Sequence, residues 1–173
     1  KTYHQTKFKD LTTILKSVDD ILTYLPKIPF KQLGNEAKEG IRNVLKTLDV
    51  VLSEVATRSD FIRDEMMLKE PLEINVNGRT LNYDDCFNDV CNSFNSLANS
   101  FDVETSAGYS APYYSDQRLA GRRKHMDIIN NEMDKLDDNN PKDRRKAIGL
   151  NRQRKLISKR VRSYAPTRSD ADS

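Results

Sequence analysis

The stretch Ile41–Met66, IRNVLKTLDVVLSEVATRSDFIRDEM, decides the fold. Its apolar side chains fall at Ile41, Leu45, Leu48, Leu52, Val55, Ile62 and Met66, at intervals of 4, 3, 4, 3, 7 and 4 residues. Such intervals put side chains on one face of an α-helix, because each residue advances about 100° around the axis. Polar Ser59 occupies the place that the interval of seven skips, and Val44 and Val51 widen the seam into a stripe. At about 1.5 Å per residue the helix is roughly 39 Å long, a staff against which other elements pack.

Upstream, Phe8, Leu11, Leu15, Val18, Leu22 and Leu25 repeat the spacing and predict a first helix over about residues 6–24, with Ile14 and Ile21 broadening its stripe. Pro26 and Pro29 stop it, because proline lacks the amide donor and restricts the residue before it. The connection 26–35 lets this helix fold back antiparallel on the staff, with Ile28, Phe30 and Leu33 covering one end of the core.

After Pro71 the apolar period changes to two. Asn77-Gly78 predicts a two-residue type I′ turn, which sets Val76 against Arg79, Ile74 against Leu81 and Leu72 against Tyr83. The apolar residues then share a face. Two strands alone are marginal in water, so this hairpin must lie on helices or join another strand. Asp84 or Asp85 is the expected cap of a third helix, whose buried side carries Phe87, Val90, Cys91, Phe94, Leu97, Ala98 and Phe101. Its other side, Asn88, Asn92, Ser93, Asn95, Ser96, Asn99 and Ser100, is polar without charge. That side reads either as simply solvated or as a contact surface that avoids the cost of desolvating charge. Residues 102–116 read as a loop whose Tyr109, Tyr113 and Tyr114 are expected to pack on the bundle rather than to stack on bases.

A fourth helix is expected over about residues 116–136 on the stripe Leu119, Met126, Ile129, Met133 and Leu136. Asn140 and Pro141 suit the cap and first position of a fifth, which runs to about Arg162 and is followed by a tail to Ser173. The expected fold class is therefore mainly α: an elongated bundle of about five helices with heptad-like, coiled-coil seams and one β-hairpin inserted at about 72–83. Its two parts are a helical bundle with the hairpin over 1–140 and a basic helix and tail over 141–173. Narrow stripes bury little per helix, so a homo-oligomer is expected.

Only 36% of the 173 residues are hydrophobic and 32% are charged, which forces apolar groups to be placed economically. The longest aliphatic run is Val50-Val51-Leu52, so no transmembrane segment is expected. Cys86 and Cys91 are five apart, about 7.5 Å along a helix, beyond the reach of a disulfide. Free thiols and a missing Asn-x-Ser/Thr sequon favour a reducing, intracellular compartment, cytoplasmic or nuclear.

Catalytic signals are weak. His4 and His125 lie in unrelated contexts, and no phosphate-cradling glycine motif, nucleophile elbow or zincin helix is present. Asp84, Asp85 and Asp89 flank Cys86 without a histidine, a poor set for a metal. The paired acids Asp19-Asp20, Asp64-Glu65 and Asp137-Asp138 read as solvated helix faces. No enzyme activity, cofactor or metal is expected.

Charge carries the functional signal. Between Pro141 and Arg168 stand eleven Lys or Arg and one acid, Asp143, so this segment carries +10 within a chain of net +3 and the rest carries −7. Arg144, Arg145, Lys146, Arg152, Arg154, Lys155, Lys159, Arg160 and Arg162 are the candidate residues for binding nucleic acid or an acidic protein partner, with Arg122, Arg123 and Lys124 as a second cluster. Phosphate backbones suit such a distribution, since affinity there comes from counterion release and needs no fixed register. The same helix could instead dock on acids of its own chain or a twin subunit, or meet an anionic membrane or a calmodulin-type groove through Leu156, Ile157 and Val161. The expected function is a non-enzymatic structural or assembly protein that self-associates through its seams and engages nucleic acid or an acidic partner through the basic segment. The alternative is a soluble effector or inhibitor that binds one protein through the Asn/Ser-rich face or the hairpin edge.

Overall fold

The computed structural model of the chain describes residues 2–107 and 113–164. Five helices account for most of them: α1 (Thr2–Tyr24), α2 (Asn35–Glu65), α3 (Tyr83–Ser100), α4 (Ser115–Asp134) and α5 (Pro141–Arg162). One hairpin, β1 (Glu73–Val76) and β2 (Arg79–Asn82), stands between α2 and α3 and forms the one sheet among the described residues. Tyr109 and the tail beyond Tyr164 lie outside the described residues. The residues group into two compact units: 1–59 with 70–114, and 60–69 with 115–173. Helix α2 contributes to both. The break in charge at Pro141 and this break in packing fall at different places, because one follows composition and the other follows contacts.

In the first unit the predicted seams are interior. Phe8, Leu11, Leu15, Val18, Leu22 and Leu25 on the α1 side and Leu45, Leu48, Leu52 and Val55 on α2 are buried within one chain. The closest backbone approaches of α1 are to α3 and β1, not to the staff. Small buried side chains on α3, Cys91 and Ala98, permit close approach, whereas the leucines of α2 hold neighbours at a wider spacing. Phe30 stacks on Phe101 with ring centroids 4.5 Å apart, and Phe8 meets Tyr83 edge-on at 4.9 Å.

The hairpin has the expected register, Val76 opposite Arg79 and Ile74 opposite Leu81. Asn77 and Gly78 both have positive φ, 52° and 80°, as a type I′ turn requires. Ile74 and Leu72 are buried, and the Gln5 side chain accepts a hydrogen bond from the Asn75 amide at 3.2 Å, so α1 covers part of the strand edge. The cap of α3 differs from expectation. Asn82 holds that place, its side chain accepting from the Asp85 amide at 3.1 Å, while Asp84 accepts from the Leu72 amide at 3.3 Å. Asn82 is the last residue of β2, paired with Glu73, and α3 begins at the next residue, so the cap place falls on the strand's own end.

Helix α3 ends in a left-handed residue, Asp102, with the Val103 amide bonded to the Ala98 carbonyl at 2.8 Å. The chain beyond it is tied to α2 within the same unit. Asp49 accepts from the amide and hydroxyl of Ser106 at 3.0 and 2.9 Å and from the Tyr114 hydroxyl at 2.9 Å. Burial first, and the Asp49 charge second, push the Tyr114 phenol well above its usual range. Tyr113 and Tyr114 are buried in this unit, as expected of side chains that pack on the bundle.

Candidate functional site

Among its described residues the second unit has few buried apolar side chains: Ile62, Ile129 and Ile157. Its interior is otherwise polar, with Asp60, Arg63, Asp64, Arg122, His125 and Gln153 nearly or wholly removed from solvent. Two rungs of ion pairs one helical turn apart account for much of this. Arg118 clasps Asp60 through Nε and Nη2 at 2.8 and 2.7 Å, and Arg122 clasps Asp64 through Nε and Nη2 at 2.9 and 3.2 Å. Arg122 also approaches Asp60 at 3.4 Å. From α5, Arg160 donates to Asp64 and, through Nη2, to the Leu68 carbonyl at 2.8 Å. Burial acts to lower the Arg122 pKa, but the hydrogen bond to Asp64 and the charges of both aspartates outweigh it and raise the value.

This corrects two expectations. Asp64 is fully buried rather than on a solvated face; only Glu65 beside it is exposed. Arg122 is an interior ion-pair member and leaves Arg123 and Lys124 as the exposed part of the second basic cluster. The signal that could have found them is the gap in each stripe. Asp60 adjoins the Ser59 gap of the staff, and Arg122 stands between Leu119 and Met126 where the apolar series of the fourth helix is interrupted.

His125, also on α4, is buried and stacks on Phe61 with ring centroids 4.0 Å apart. Its Nδ1 has no hydrogen-bond partner. Burial lowers its pKa, against the opposing charges of Asp64, Glu65 and Glu132 and with a small contribution from Arg122. A neutral imidazole filling an interior place is the outcome.

Helices α4 and α5 run antiparallel: Arg122 reaches Tyr164, and Arg154 reaches Asn130. As the sequence indicates, Asn140 caps α5, accepting from the Lys142 amide at 2.9 Å, with Pro141 in the first position. The wall of α5 that faces this unit carries Gln153, Ile157 and Arg160. Of the nine candidate residues, Arg144, Arg145, Lys146, Arg152, Lys155, Lys159 and Arg162 are exposed; Arg154 and Arg160 are half-buried. At about 100° per residue, Arg144, Arg145, Arg152, Lys155, Lys159 and Arg162 fall within an arc of about 100°, opposite the packed wall. They form one basic face about 27 Å long, which the bare count of charges around the helix does not suggest. Ile157 is fully buried and Leu150, Leu156 and Val161 are half-buried, which leaves less apolar surface for a membrane or a calmodulin-type groove, while Ile148, within the arc of the basic face, is exposed.

Two other candidate regions lie in the first unit. Asn95 of the Asn/Ser-rich helix side is buried and accepts from the Thr105 hydroxyl, and Asn92 accepts from Tyr113, so two of the amides expected on a free surface are engaged internally. A groove of about 880 Å³ between α1, the hairpin and α3 is lined by Asp19, Asp20, Asp85, Asp89 and Cys86, among others. Both cysteines are free thiols. Burial, then Asp89 and Asp19, push the Cys86 pKa up, the opposite of what an activated nucleophile requires. Among the described residues no group of three His, Cys, Asp or Glu is placed to hold a metal, and no helix is long and apolar enough to cross a membrane.

Compared with known proteins, the chain matches no family model, no curated protein and no solved structure. Its function has to be argued from its own residues.

Proposed function

We propose that this is a non-enzymatic structural or assembly protein that binds nucleic acid through the exposed basic face of α5, formed by Arg144, Arg145, Arg152, Lys155, Lys159 and Arg162. The observation that carries this reading is the separation of two kinds of cation in one unit. Arg118, Arg122 and Arg160 are held in ion pairs by Asp60 and Asp64, while the exposed face of α5 has no acid among its residues. A row of cations over about 27 Å, held on a helix, suits a polyanion of regular charge spacing. An acidic protein surface would have to match the row in register, and nothing in the row favours one register.

The second unit, 60–69 with 115–173, holds 18 Lys or Arg against 12 Asp or Glu, a net +6, and the first holds the balance of −3. Long-range attraction to phosphate would thus act at the second unit. Phosphate binding requires no second copy. The seam residues expected to drive self-association are buried within one chain, and assembly would follow from several chains sharing one polyanion.

The test is fluorescence anisotropy with a labelled mixed-sequence duplex at about 50 and about 200 mM salt. Six phosphate contacts imply a loss of affinity on the order of 10³ between those conditions. Polyglutamate as competitor addresses an acidic protein partner. Binding that is absent at the lower salt, or that polyglutamate displaces as well as unlabelled duplex does, would overturn the proposal. Point variants are the right comparison, because deleting residues 141–173 removes Ile157 and Arg160 from the packed interior.

A further inference from the structure

The arginines of the second unit differ in what holds them. Three end on carboxylates, as described. Arg154 ends on neutral amides: Nη1 donates to Asn130 Oδ1 at 3.3 Å and Nη2 to Asn151 Oδ1 at 2.6 Å. One turn and two turns further along α5, Ser158 Oγ accepts from Arg162 Nη1 at 3.0 Å. Arg154, Lys155, Ser158 and Arg162, with Met126 of α4, line a recess of about 330 Å³. No carboxylate lines it, and among the described residues none pairs with its three cations. Neutral anchors fix a guanidinium in place without cancelling its charge, whereas a carboxylate would do both.

We propose that this recess is a phosphomonoester subsite, which seats the terminal phosphate of a nucleic-acid strand lying on the basic face of α5. The proposal rests on the reading of that face as a phosphate-binding surface. Lys155 and Arg162 belong to both, so recess and face are continuous. An internal phosphodiester has two free oxygens and a single negative charge. A terminal monoester has three free oxygens and a charge of about −1.5 to −2. The three cations equal the three free oxygens of a monoester and outnumber the two of a diester, and the Ser158 hydroxyl, which still has its proton, adds a fourth donor. Shape acts in the same direction, since a recess admits a group that projects, and only the end of a strand projects its phosphate.

The experiment compares one short single strand carrying either a 5′-phosphate or a 5′-hydroxyl, binding to the full chain at about 100 mM salt. The phosphorylated strand is expected to bind about tenfold more tightly, the gain of roughly one further charge-assisted contact. In Ser158→Ala the advantage should shrink severalfold while the 5′-hydroxyl strand binds as it does to the parent, because Ser158 carries no charge and stands outside the exposed face. In Arg154→Gln, which also removes a cation, affinity for the phosphorylated strand should fall severalfold more than affinity for the 5′-hydroxyl strand. Equal binding of the two strands to the parent overturns the subsite and leaves the face intact. An advantage that persists undiminished in both variants also overturns it. Failure of both strands to bind, even at low salt, overturns subsite and face together.

Discussion

Arg122 donates two hydrogen bonds to Asp64, which lies 58 residues earlier in the chain, and both side chains are withdrawn from water. With Arg160 arriving from α5, Asp64 is the point at which three helices of the second unit meet. Among the described residues Ile62, Ile129 and Ile157 are the buried apolar side chains of this unit, and the ion pairs fill much of the remaining interior.

Removing the Asp64 charge leaves buried Arg122 with the longer contact to Asp60 as its carboxylate partner, and half-buried Arg160 with the Leu68 carbonyl. Asp64→Asn is expected to lower stability by about 3–5 kcal/mol. Glu65→Gln, one residue away but exposed, should change it by less than about 0.5 kcal/mol. Urea denaturation followed by circular dichroism measures both, and equal effects would contradict the structural role assigned to Asp64.

Stability should also depend on pH through His125. In the unfolded chain this imidazole takes up a proton near its usual 6.5, but in the folded chain only at a lower pH. Between those values the unfolded state binds more protons, so stability falls as pH falls below about 6.5 and the loss is complete once the folded value is passed. His125→Phe keeps a ring against Phe61 and removes the titration. Denaturation midpoints from pH 7.5 to 5 should therefore fall less steeply in the variant; identical slopes would show that other groups dominate.

Gly78 occupies the left-handed region, and an added Cβ there meets nothing within 4 Å. The cost of Gly78→Ala is then one of backbone conformation alone, about 1–2 kcal/mol. Thermal unfolding reads it out. A neutral result would mean that the hairpin turn is not held in its type I′ geometry.

Much of the fold is legible in the sequence because apolar periodicity reports which side of an element is buried. Ile41 to Val55 mark the staff, Asn77-Gly78 fixes the hairpin register, and Asn140-Pro141 marks the start of α5. Periodicity is blind to a buried polar residue, so Asp64 reads as a solvated face, Arg122 as part of a basic cluster, and Asp60 and His125 carry no signal until the stripe gaps are set against the contacts that fill them. The same blindness affects the candidate site. Counting charges in 141–168 gives the sign of the segment but does not separate Arg160, spent on Asp64, from Arg152, which is exposed. Only the direction in which α5 packs sets six of its cations apart as one exposed face. The partner chosen by α1 was likewise out of reach, since a 3–4 spacing specifies a buried stripe and not the helix that covers it.

The most direct test of nucleic-acid binding by the α5 face is the slope of log Kobs against log salt for a mixed-sequence duplex. It should be measured for the parent and for the combined variant Arg144→Gln, Arg145→Gln, Arg152→Gln and Lys159→Gln, both shown to be folded by circular dichroism. A face of six cations predicts a slope of about −5 for the parent and about −2 for the variant, at about 0.9 per phosphate contact. A variant that keeps the parent's slope and affinity would place phosphate binding elsewhere or nowhere, and would contradict the proposal.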